Sequence, residues 1–291
     1  MRNLAQVKTG GWSGRSSGVD AERPGPLTSR AVAWWRVMLC TVALLNLVLW
    51  SLSAAAQTHR PGSGAGAAGH AQLILSAVYV VGCAFRSVLP VYDIPRIVLI
   101  DSRLSGIFIG RSVATVAELC FAAQWALMLH RIAAASGSTL GQALAWAIMP
   151  LIVVAEVGSW YSVLTTEQRG HILENSLWGI AAALLGTGLW VAGSGRAQAL
   201  YPFMIAWCIG AAAYAAFLFC FDVPMYWSRW RADRAAGRRY LKLVPGIADA
   251  WQRRVVSYRW EDWKGEMLWM SLYFTFGVWS SISLVYGSRA L

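Results

Sequence analysis

Of 291 residues, 57% are hydrophobic and only 13% charged, and the mean hydropathy is +0.48, whereas a soluble domain carries about a quarter charged residues. That balance excludes a water-soluble globular domain and predicts an integral membrane protein, expected in a bacterial cytoplasmic membrane. The net charge of +11 would suit a nucleic acid, but the basic residues fall where membrane topology requires them, so no nucleic-acid partner is expected.

Residues 1–31, rich in Gly, Ser and Arg with Pro24 and Pro26, predict a disordered basic tail. Residues 32–291 then form one membrane domain. Seven apolar stretches, about the length a helix needs to cross the hydrocarbon core, fall at 32–55, 71–92, 106–130, 140–164, 173–194, 200–223 and 266–287. The predicted fold is therefore all-α, a polytopic seven-transmembrane-helix bundle. Ala54-Ala55-Ala56 resembles a signal cleavage site, but the preceding tail is too long for a signal peptide, so the first span is read as retained. The loop at Pro61–Gly66 reads as a flexible connector.

Orientation follows from Lys and Arg, which are retained on the cytoplasmic side. The tail and the segments 93–111, 165–172 and 227–265 hold 19 of them; the alternate set holds four, Arg60, Arg131, Arg196 and Arg289. The N-terminus is thus expected in the cytoplasm. The segment from Trp227 to Lys264 has ten Lys or Arg against four acids. Ile247, Trp251, Val255 and Tyr258 recur in it at helical spacing, opposite Arg253 and Arg254. This predicts an amphipathic helix over part of 227–265, lying in the headgroup plane with its arginines on anionic lipid.

An ionisable group inside a span is costly unless used or paired, so the acids mark the place to look for chemistry. Glu118 falls near the bilayer midplane, with Arg111 and Thr115 on its helical face. Glu156 falls in the inner half of the fourth span, with Ser159 and Trp160. His171, Glu174, Asn175 and Trp178 open the fifth, Asp222 closes the sixth, and Arg86 enters the inner half of the second. Nearly all ionisable groups share one end, and the other is expected to be almost purely apolar. Two readings follow. In the first, a lipophilic substrate, an isoprenoid or lipid, meets Glu118, Glu156, Asp222 and Glu174 as acid–base groups, with Arg86, Arg111, Trp160, Asn175 and Trp178 binding it. In the second, the same acids relay protons or a cation in a carrier or channel, or the chain is a non-catalytic membrane subunit. A structural alternative has Arg86 neutralising Glu118 or Glu156, helped by Arg111.

Other chemistries lack their residues. Haem needs two histidines at one depth, whereas His130 and His171 fall at opposite ends. A carboxylate-bridged metal site could use Glu118, Glu156, His171 and Glu174, but the paired Glu-x-x-His signature of di-iron sites is absent, and no metal is expected. Retinal would need a lysine in the last span, which has none after Lys264. The five cysteines form no CxxC pair. Phosphate-loop, dinucleotide, serine-hydrolase and zinc-protease motifs are missing. No cofactor is named by any motif, and no internal repeat is evident.

Overall fold

The computed structural model describes residues 26–58, 66–193 and 201–288. The expected tail as far as residue 25, and the Pro61 loop as far as residue 65, lie outside them. Among the described residues seven helices are long and apolar enough to cross a membrane, as an integral membrane protein requires. In chain order the elements are α1 (Pro26–Thr58), α2 (Ala67–Val88), β1 (Val91–Tyr92), β2 (Ile97–Val98), α3 (Ile107–Ser136), α4 (Thr139–Thr165), α5 (Arg169–Gly193), α6 (Tyr201–Ala235), α7 (Leu243–Gln252), β3 (Val255–Val256) and α8 (Trp260–Gly287). All but α7 are spanning helices. Large apolar side chains such as Trp146, 73% exposed, and Trp190, 76% exposed, stand on the outside of the bundle. Such a surface is stable against lipid and not against water.

Four expectations are corrected. The first helix begins at Pro26, inside the predicted tail, where proline's missing N–H costs a helix nothing. The second span stops at Val88 instead of continuing to 92. Pro90 cannot continue the ladder of helical bonds, and β1 and β2 follow as an antiparallel hairpin tucked against the bundle. Arg96 turns this hairpin at φ 69° and is held by Asp249 at 2.9 Å and the Asp93 carbonyl at 3.0 Å. The helix predicted to carry Ile247, Trp251, Val255 and Tyr258 stops at Gln252, before the last two, and covers only a short part of the segment 227–265. The first residues of that segment continue α6 to Ala235, and helical spacing survives only in α7, where Val244, Ile247 and Trp251 are exposed and Ala250 is buried. Val255 and Val256 leave the helix to pair in parallel with Ile97 and Val98. Finally, the end opposite the acids is not purely apolar. Gln72 and Gln124 are fully buried and exchange hydrogen bonds, with Ser281 donating to the Gln124 side-chain Oε1 at 2.6 Å and bridging to Ser76 at 2.9 Å.

Small residues set the closest crossing. A Cβ on Gly170 would collide with the Gly158 carbonyl, so α4 and α5 meet backbone to backbone at these glycines. Ser162 seals the turn between them by accepting the His171 N–H at 2.8 Å and donating to the Glu167 carbonyl. The crossing brings Glu156 of α4 and Glu174 of α5 to one depth.

Two spanning helices contain a π-helical turn, at Leu218–Asp222 in α6 and Tyr273–Gly277 in α8. Such turns leave carbonyls without their usual partner, which must be satisfied inside a membrane. In α8, Asn46 of α1 donates to the Phe274 carbonyl at 2.8 Å and accepts from Trp279 at 3.0 Å. In α6, the Phe219 ring lies against Gly179 of α5, where any Cβ would overlap it.

Candidate functional site

Arg111 is the centre of the site. It stands two turns before Glu118 on α3, so both side chains leave the same helical face. Its Nη2 lies 2.8 Å from Glu118 Oε2, 2.6 Å from Glu156 Oε2 and 3.4 Å from Glu174 Oε1. All three carboxylates are buried, at 9%, 4% and 8% exposure respectively. Thr115 donates to Glu156 Oε2 at 2.6 Å and accepts from Trp160 Nε1 at 3.0 Å. Glu174 Oε2 shares a proton position with His171 Nδ1 at 2.7 Å, and Tyr273 of α8 donates to Glu118 Oε1 at 3.3 Å. Oxygens of the three carboxylates lie within 4.8 Å of one another, a spacing that a divalent cation bridges. Here the Arg111 guanidinium takes the shared centre, so the cluster is organised by an arginine.

A cavity of about 910 Å³ opens beside the cluster, between α2, α3, α4, α5, α6, α8 and the β1–β2 hairpin. That is the upper range of ordinary ligand sites. Its greater part is apolar and aromatic, with Trp125, Trp178, Trp207, Phe217, Trp269 and Phe276 on the walls. α6 packs along α5 and reaches α8 through long side chains. Phe217 stacks on Trp269 with ring centroids 5.7 Å apart, and Trp207 Nε1 donates to Ser283 at 3.1 Å. Both π-helical turns contribute to the lining, through Asp222 in one and Tyr273 in the other.

The sequence candidates divide on this map. Glu118, Glu174, Asp222, Arg86, Arg111, Asn175 and Trp178 line the cavity. Asn175 is fixed by a bond from its amide to the His171 carbonyl at 2.8 Å. Glu156 and Trp160 stand behind the wall. The first holds Arg111; the second packs edge-on to Phe108 at 5.1 Å and orients Thr115. Arg86 does not neutralise either glutamate as the structural alternative supposed. Arg111 does so, and Arg86 Nε is buried with no hydrogen-bond partner among the described residues.

Sequence reasoning missed several residues of the cavity. Tyr273 and Glu266 belong to a stripe on α8, Glu266, Trp269, Tyr273 and Phe276, at helical spacing. That stripe was a legible signal, masked because Glu266 was placed at a span end. Arg229 was hidden in a segment read as interfacial, Tyr226 just beyond the end of the sixth span, and Tyr92 in the end of the second. Burial, together with the Glu266 carboxylate beside it, pushes the Tyr92 hydroxyl above its usual range. Comparison with protein-family models, curated proteins and solved structures finds no match for this chain.

Proposed function

We propose that this protein is a membrane-embedded enzyme that admits a lipophilic substrate between α6 and α8 and performs acid–base chemistry on it at Glu118. The observation that carries this reading is the large aromatic cavity in direct contact with Glu118, a carboxyl group that is otherwise removed from bulk water. Glu118 is the group that touches substrate and exchanges the proton. Tyr273 and Arg111 position it, and Glu156 acts through Arg111. Glu174 with His171, and Asp222 nearer the end of its helix, are the groups that return the proton toward water. Charge counting favours such an exchange. Arg111 brings one fixed positive charge to three buried carboxylates, so the cluster favours taking up a proton. The 19-to-4 distribution of basic residues supports a cytoplasmic N-terminus and a cavity whose charged end faces the cytoplasm.

The test compares the lipids of cells expressing the wild type or Glu118→Gln at equal membrane levels, by untargeted mass spectrometry. The amide keeps the shape and loses the transferable proton. A lipid consumed or formed with wild type and untouched by Glu118→Gln is expected. Identical lipid profiles for wild type and empty membranes would overturn the enzymatic reading. The runner-up, a proton-coupled carrier, draws on the same charge deficit and predicts proton uptake by sealed proteoliposomes instead.

A further inference from the structure

We propose that the end of the cavity beyond the Arg111 cluster is a receptor for a zwitterionic head that carries a phosphate and an ammonium, so the ligand is a phospholipid with its chains along the aromatic wall. This rests on the cavity reading above and names its ligand.

Five charged side chains line the cavity from four elements: Arg86 of α2, Asp93 of the hairpin, Asp222 and Arg229 of α6, and Glu266 of α8. Each lines the cavity and each is only partly accessible. Among the described residues none of the five forms a salt bridge, although every acid of the Arg111 cluster does. Arg86 Nε and Asp93 Oδ1 are both buried with no hydrogen-bond partner. Glu266 nevertheless lies within electrostatic reach of Arg229, Asp93 and Asp222. Tyr92 stands between Arg229 and Glu266, and opposite charges that share one enclosed cavity without an ion pair leave a free-energy cost that a ligand can offset.

The signs select the ligand. A purely anionic head would meet two guanidiniums but also three carboxylates; a purely cationic head would meet the reverse. A head bearing both charges satisfies each set, with arginine forks on phosphate oxygens and the acids on the ammonium. The adjoining apolar volume then takes hydrocarbon, which a free headgroup could not use. Gly265 marks the rim. It lines the cavity and a Cβ added there meets nothing within 4 Å.

The experiment uses the full-length protein, delipidated in a maltoside detergent and titrated with matched dioleoyl lipids, with retained lipid read by native mass spectrometry. Phosphatidylethanolamine or phosphatidylcholine should be retained about tenfold better than phosphatidylglycerol or diacylglycerol, the ratio given by one well-made ionic contact. Arg86→Gln with Arg229→Gln should abolish the preference over diacylglycerol. Asp222→Asn with Glu266→Gln should move it toward phosphatidylglycerol. Diacylglycerol bound as well as phosphatidylethanolamine by wild type would overturn the headgroup assignment and leave the cavity reading standing. Water-soluble phosphoethanolamine bound as tightly as the lipid would overturn the assignment of a lipid. Gly210→Trp addresses the cavity itself, since Gly210 lines it and its added side chain has open space at its root. Gly210→Trp should lower retention of every lipid; retention that it leaves unchanged, or no lipid retained by wild type, would overturn both readings together.

Discussion

Replacing Arg111 with glutamine tests whether the cluster is held by that one side chain. The change leaves Glu118, Glu156 and Glu174 facing one another with their shared cation gone, at contacts that were 2.8, 2.6 and 3.4 Å. Breaking a buried ion pair by removing one partner costs about 3–5 kcal/mol, because the charge left behind is uncompensated. For a chain of this size that corresponds to a fall in apparent Tm on the order of 10 °C. The measurement is thermal unfolding in one detergent at one heating rate. The second variant decides the cause: Arg111→Gln with Glu156→Gln removes one stranded carboxylate and should recover part of the loss. The expected order of Tm is therefore Arg111→Gln, then the double variant, then wild type. An Arg111→Gln protein as stable as wild type, or a double variant no better than the single one, would refute an arginine-centred cluster.

Gly170→Ala should destabilise by about 1–3 kcal/mol, the usual cost of overpacking, because its new methyl group meets the Gly158 carbonyl; an unchanged Tm would contradict the close α4–α5 crossing. Glu167, in the turn between α4 and α5, gives a pH signature. Its burial alone would raise its carboxyl pKa, but hydrogen bonds from Arg169 and from Tyr161, the latter at 2.7 Å, outweigh this and hold it below the ordinary value. A depressed folded value contributes stability that is complete above the ordinary carboxylate pKa of about 4.3 and is lost as pH falls through the folded value. The Tm gap between wild type and Glu167→Gln should thus be open at pH 7 and close on acidification, and a gap that ignores pH would count against it. Topology is checked by reporter fusions at Leu291 and within 227–265, which should report opposite sides of the membrane; agreement between them would remove the proposed orientation.

Length and hydropathy made the seven spans legible, because an apolar run of about 20 residues has few other uses. The Arg111–Glu118 pairing was equally legible, since seven residues on one helix is a fixed geometry. That Glu156 would meet Glu118 and an arginine followed from their shared depth, whereas the arrival of Glu174 depends on the Gly158–Gly170 approach of α4 and α5. The hairpin at Val91–Val98 escaped because Val91 and Tyr92 continue the apolar run of α2, and because its second strand, Ile97–Val98, is completed by Val255 and Val256, far along the chain. Arg229 and Glu266 escaped for a related reason. A charge near the end of a span reads as solvated until the cavity beside it is seen.

The two π-helical turns carry a consequence for how this chain tolerates changes in length. Deleting one residue from a spanning α-helix rotates everything beyond it by about 100° and turns a lipid-facing stripe inward. α6 and α8 each carry a residue in surplus, within Leu218–Asp222 and Tyr273–Gly277. A single deletion there is absorbed when the turn regularises, and the flanks keep their faces: Trp207 and Arg229 in one helix, Met267 and Ser281 in the other. Within the described spanning helices, α6 and α8 can therefore shorten by one residue at these places without turning their flanks, while Asp222 or Tyr273 is exchanged for a neighbour. The scaffold stays fixed, and what changes is the chemistry presented to the ligand.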